Sequence, residues 1–115
     1  MRSPHEILKK YWGYDSFRPL QEDIIQSVLA GNDTLGLMPT GGGKSITFQV
    51  PGMILDGLTL VVTPIISLMK DQVDNLLERR IKACYLYAGL SFSETKKVFE
   101  KCRFGKYKFL YVSPE

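Results

Sequence analysis

The sequence predicts an α/β fold built on a parallel sheet, and three observations carry that prediction. Short apolar runs alternate with longer helical stretches from Thr34 to the end of the chain. A glycine-rich loop lies between the first of those runs and the helical stretch after it. No repeat, linker or low-complexity tract interrupts the series. Strand and helix in strict alternation give a three-layer α/β/α arrangement with right-handed crossovers.

The elements are expected in this order. "SPHEILKKYWG" opens a helix, with Ser3 as N-cap, Pro4 at the first helical position, Glu6 closing a capping box and Gly13 ending it. "RPLQEDIIQSVLAGND" is a second helix with Pro19 in its first turn; Leu20, Ile24, Ile25, Val28 and Leu29 recur at helical spacing, and Gly31-Asn32-Asp33 stop it. Thr34–Met38 is an apolar run expected as a buried strand, and "KSITFQVPGMIL" a helix that Pro51 should bend or end early. Leu58–Thr63 has the strongest strand signature. Ile66–Arg80 is an amphipathic helix with Leu68, Met69, Gln72, Val73, Leu76 and Leu77 on one face. "ACYLYA" is a strand, "SFSETKKVFEKCRFG" a helix with a Ser91/Glu94 capping box, and "KFLYVS" a closing strand.

Composition narrows the class. A chain of 115 residues is one domain at most and can bury a core. Its net charge of +3 is too modest to argue for nucleic acid, so any such case rests on where the charges sit. Cys84 and Cys102 are distant in sequence without metal-ligand spacing, and His5 is the only histidine, so idle thiols and no zinc site are expected. With no signal-type apolar region and no run long enough for a bilayer, an intracellular, cytoplasmic protein is expected.

The loop "LGLMPTGGGKSITFQ" carries the chemistry. Gly43-Lys44-Ser45 supplies the second half of G-x-x-x-x-G-K-[ST], while Met38 stands where that pattern has its first glycine. Pro39 stiffens the entry, and Thr40, Gly41, Gly42 and Gly43 let backbone N–H groups turn toward a phosphate at a helix N-terminus. Lys44 is placed to reach the β- and γ-phosphates, and the Ser45 hydroxyl to ligate Mg²⁺. The alternative is a flexible glycine turn joined by accident to Lys-Ser.

Three blocks in order resemble those of RecQ-family DNA helicases: "LKKYWGYDSFRPLQ", with a Gly-aromatic pair followed by Phe-Arg-x-x-Gln; "MPTGGGKS", with Met at the loop entry; and "VVTPIISLMKDQV". The resemblance runs from about Leu8 to Glu115 and implies a RecA-like ATP-binding domain, truncated, at 34–115, preceded by two helices and an adenine-reading motif in 1–33. It implies ATP and Mg²⁺ as cofactors, with Gln21 bonding the adenine edge, Arg18 lying against it and Tyr14 stacking on it. It implies single-stranded DNA contact by Pro64, Ser67 and Lys70, and by Ser113 in "LYVSPE". Against these stand an exposed helix glutamine, a surface cation, a core tyrosine and a solvated Lys70-Asp71 pair. "KCRFGKYKF" interleaves basic and aromatic residues, but a helix end meeting a strand start explains it better.

By the same resemblance the parent protein is an ATP-driven 3′-to-5′ DNA helicase. The acidic box of Asp-Glu-x-His type and the second motor domain do not occur in these residues, so the piece itself is expected not to turn over ATP. Two other readings stay open: part of a DEAD-box-like RNA helicase, against which "FRPLQ" and "SLMKDQV" argue, and a non-catalytic nucleotide-binding module. An unpaired sheet edge makes self-association an expectation.

Overall fold

The computed structural model describes residues 3–38 and 43–114. The chain forms two compact units, Met1–Asp56 and Gly57–Glu115.

The first unit is helical. Ser3 caps α1 (Pro4–Ile7), its hydroxyl accepting from the Glu6 N–H at 3.2 Å. The helix then widens into a π-helical turn, Leu8–Trp12, closed by the Gly13 N–H on the Leu8 carbonyl at 3.1 Å. Gly13 terminates it at φ 77, the left-handed backbone that glycine adopts without cost. Helix α2 spans Gln21–Leu29 and α3 spans Ile46–Ile54. Ile7, Leu8, Ile25 and Val50 form the core, with Trp12, Phe17 and Ile46 packed around them.

Three expectations are corrected in this unit. Helix α2 begins at Gln21 rather than around Pro19, because Leu20 has φ 73 and cannot belong to a right-handed helix. Pro51 does not end α3 early: the helix runs to Ile54, and the Leu55 N–H still reaches the Pro51 carbonyl at 2.9 Å. Thr34–Met38 is not a buried strand, since Leu35 and Leu37 are 85% and 79% exposed and the run pairs with no strand among the described residues. A strand needs a neighbour to take its backbone N–H and C=O groups. What holds this run's start is local: the Thr34 hydroxyl meets Ser27 Oγ at 2.8 Å, and Gly36 lies against the Ile24 side chain.

The second unit is a parallel α/β layer. Strands β1 (Thr59–Val62), β2 (Ala83–Leu86) and β3 (Phe109–Val112) pair in the order β1-β3-β2, all parallel. Helices α4 (Ile66–Glu78) and α5 (Phe92–Phe104) are the crossovers. The predicted capping box forms in full: the Ser91 hydroxyl accepts from the Glu94 N–H, and Glu94 Oε1 from the Ser91 N–H, each at 3.2 Å. The bond from the Ser91 N–H, and after it one from the Ser91 side chain, hold the Glu94 carboxyl below its usual pKa. Met69, Val73 and Leu76 are the buried stripe of α4, whereas Leu68 and Leu77 of the expected face are exposed. Cys84, Val98 and Leu110 form a core cluster beneath α5. Distant in sequence, Cys84 and Cys102 are neighbours in space, hydrogen-bonded with Sγ atoms 3.5 Å apart and with both thiols free. Burial, then the hydrogen bond with Cys102, pushes the Cys84 thiol up to about 12. No helix among the described residues is long and apolar enough to cross a membrane.

Candidate functional site

In the first unit the site is built on a turn. The Gln21 N–H donates to the Arg18 carbonyl at 3.1 Å, and the Arg18 N–H donates to Gln21 Oε1 at 2.7 Å. Two hydrogen bonds between the same two residues hook Arg18–Gln21 closed, with Leu20 at its corner in a left-handed conformation. For an L-residue that conformation costs on the order of 1–2 kcal/mol, and it persists where surrounding bonds over-determine it.

The other end of the Gln21 amide reaches the glycine loop. Nε2 donates to the Gly43 carbonyl at 3.0 Å, and the Gln21 residue is 2% exposed. Gly43 has φ 76, and a Cβ there would run into Gln21 Nε2. Glycine is therefore favoured on two independent grounds, backbone conformation and space. Lys44 follows, exposed, and Ser45 is the N-cap of α3, its carbonyl accepting from the Gln49 N–H at 2.9 Å while its hydroxyl makes no capping bond.

A cation and a hydroxyl at a helix N-terminus are groups that can take a phosphate and its magnesium ion. The structure thus joins Arg18, Gln21 and Gly43, with Lys44 and Ser45 next in the chain. Tyr14 stands exposed just past Gly13. Pro39, Thr40, Gly41 and Gly42 lie outside the described residues.

In the second unit the parallel order brings the strand C-termini to one edge, where sites of open α/β sheets are built. Val62, Val112 and Leu86 are level across the sheet. One residue further, the Thr63 N–H donates to the Val112 carbonyl at 3.0 Å and the Ser113 N–H to the Leu86 carbonyl at 3.1 Å. Pro64 and Ser67 follow β1, exposed, and Ser113 follows β3. These residues share an edge because strand direction puts them there.

Lys70 behaves differently from a free surface cation. Its Nζ lies 4.9 Å from the ring centroid of Tyr87 and 5.9 Å from that of Tyr85. A hydrogen bond with Tyr87 and the electrostatic attraction of its hydroxyl raise the Lys70 pKa, with Tyr85 and Glu94 adding smaller contributions. Neither tyrosine was singled out from the sequence. The available signal is Tyr-x-Tyr within a strand, since alternate residues share one face.

A parallel α/β unit, together with helices that brace a glycine loop, is the class of a RecA-like helicase domain, present here in part. The DEAD/DEAH box helicase family matches residues 18–115, and the chain belongs to that family. Among its relatives is an "ATP-dependent DNA helicase RecQ" of Pasteurella multocida, 49% identical over 110 residues, covering 96% of this chain and 17% of the relative. A protein of the same name from Haemophilus influenzae is 48% identical over 109 residues, covering 95% of this chain and 18% of the relative. The expected resemblance to RecQ-family helicases is borne out by these relatives, of whose length the chain spans less than a fifth. A solved structure described as a hypothetical ATP-dependent RNA helicase from Sulfolobus tokodaii superposes with a TM-score of 0.72 at 22% identity, covering 99% of this chain and 34% of the other. That likeness is one of fold.

Proposed function

We propose that this chain is the nucleotide-binding part of the first motor domain of a RecQ-type, ATP-driven 3′-to-5′ DNA helicase. The observation that carries the reading is the hydrogen bond from Gln21 to Gly43. It ties the residue that the family resemblance gives to adenine to the glycine that precedes the phosphate-binding lysine. Residues 1–33 supply the adenine-reading motif and 34–115 the RecA-like portion. Tyr14 stacks on the base, Arg18 lies against it, and Gln21 reads its edge by exchanging its bonds to Arg18 and Gly43 for bonds to the base, through an amide that donates and accepts at once. Gly41, Gly42 and Gly43, entered through Pro39 and Thr40, hold the phosphates, with Lys44 as countercharge and the Ser45 hydroxyl on Mg²⁺. When bound, the magnesium nucleotide supplies the phosphoryl group whose transfer drives unwinding.

The 115 residues contain no acidic box for the attacking water, so by themselves they bind ATP weakly and do not turn it over. Pro64, Ser67, Lys70 and Ser113 form part of a track for single-stranded DNA, positioned through its phosphates.

Titration with a fluorescent ATP analogue tests this reading. ATP should compete better than GTP, Lys44→Ala should abolish binding, and Gln21→Ala should erase the preference for adenine. Equal competition by ATP and GTP in the unaltered chain would remove Gln21 from adenine recognition. Robust ATP hydrolysis by the 115-residue chain, lost in Lys44→Ala, would overturn the claim that it does not turn over.

A further inference from the structure

Tyr85 and Tyr87 stand two residues apart at the end of β2 and project from one face of the sheet. Their rings are stacked, with centroids 6.0 Å apart and planes 29° from parallel. Both are only partly buried. The Tyr87 ring sits directly over Gly89: a Cβ at Gly89 would lie 2.8 and 3.2 Å from two ring carbons, so any side chain there would displace the ring. The ring also borders a groove of about 300 Å³ with Ala88, Leu90, Thr95, Val112 and Ser113. Lys70 holds its ammonium over both tyrosines.

Each feature has a bland purpose taken singly: partly buried aromatics pack a sheet, and a lysine rests on them. Their joint position argues for more. Tyr87 is the residue after Leu86, and Leu86 is level with Val112 and Val62. The ring pair therefore stands at the edge where Pro64, Ser67 and Ser113 emerge, beside the one cation of that group. A flat aromatic face with a cation at its rim, open to a groove, is the chemistry that takes an unpaired base and its phosphate together.

We propose that Tyr85 and Tyr87 form a stacking platform for an unpaired base of single-stranded DNA, with Lys70 moving from the tyrosine faces to that nucleotide's phosphate. The proposal rests on the DNA-track reading above and adds base contact to a track otherwise made of phosphate contacts. It predicts preference for single strands over duplex, because paired bases have no free face to offer. It predicts tolerance of sequence, because every base has such a face. The raised Lys70 pKa agrees with an ammonium that stays charged while it exchanges one partner for the other.

The test compares two labelled oligonucleotides of equal length by fluorescence anisotropy with the 115-residue chain. One is oligothymidylate and the other an abasic strand with the same phosphates. The unaltered chain should bind oligothymidylate more tightly by roughly five- to 150-fold, the range that one stacked base contributes. Tyr87→Leu should bring the two affinities together by weakening oligothymidylate alone, whereas Tyr87→Phe should keep the difference. Lys70→Ala should weaken both strands and flatten the salt dependence. Photo-crosslinking of a 5-iodouracil oligonucleotide to the unaltered chain, mapped by mass spectrometry, should land on Tyr85 or Tyr87, a readout independent of how well any variant folds. Equal binding of both strands by the unaltered chain, with crosslinks elsewhere, would overturn the platform and leave the phosphate track standing. Binding of neither strand would overturn the track and the platform with it.

Discussion

Gly43→Ala is the substitution through which the structure makes its most quantitative claim. The residue has φ 76, so alanine would pay the left-handed penalty, on the order of 1–2 kcal/mol. The new Cβ would also meet Gln21 Nε2 and break its bond to the Gly43 carbonyl. Gln21 is buried, and stranding its amide costs about another 1–3 kcal/mol. Together the loss is about 2–5 kcal/mol, which approaches the whole stability of a small unit. The two contributions can be separated. In a Gln21→Ala background the collision disappears, and Gly43→Ala should then cost only the backbone part, about 1–2 kcal/mol. Urea denaturation followed by the fluorescence of Trp12, the sole tryptophan, reads the first unit directly because Trp12 packs against its core. A cost of Gly43→Ala that is the same in both backgrounds would refute the contact between loop and glutamine.

The remaining predictions concern the second unit. Ser91→Ala removes one half of a formed capping box and should destabilise by about 1 kcal/mol in denaturant titration. Leu76→Ala should cost about 2–5 kcal/mol, since Leu76 is 1% exposed, whereas Leu68→Ala at 45% exposure should cost well under half of that; equal losses would mean that α4 is rotated. The Cys84 thiol keeps its proton to about 12 when folded, against 9.0 ordinarily, so the unfolded chain loses that proton first as pH rises. Its contribution is intact below pH 9 and drains away between 9 and 12. Melting temperatures of the unaltered chain should therefore fall more steeply over that window than those of Cys84→Ala, and parallel profiles would contradict the assignment.

What could be read from the sequence was what short-range chemistry decides. Ser91 and Glu94 lie three residues apart and make their cap wherever a helix starts, and Gly13 ends its turn for reasons internal to one residue. The β-branched and aromatic runs at Thr59–Val62 and Phe109–Val112 announce strands by composition. The sheet order is another matter: β3, last in the chain, lies between β1 and β2, and no local pattern encodes that. Thr34–Met38 shows the same limit, for an apolar run becomes a strand only when another strand is beside it. In the site, Gln21 and Gly43 were both singled out, but the bond joining them across 22 residues was not, nor was the left-handed Leu20 that closes the turn. The sequence offers Lys70 as a phosphate ligand, but its tyrosine partners come to it only because α4 and β2 lie side by side.

The π-helical turn at Leu8–Trp12 has a consequence for how the chain is phased. Such a turn is an ordinary helix carrying one surplus residue, which the wider turn absorbs. Deleting Lys9 or Lys10 would let Pro4–Trp12 wind as a single α-helix, and each α-helical residue advances the chain by about 100° and 1.5 Å. The exit at Gly13 would be nearly kept, because the deletion removes only the residue that the wider turn accommodates. The surplus residue is therefore one the segment can lose while Tyr14 keeps its direction and no residue at the loop changes.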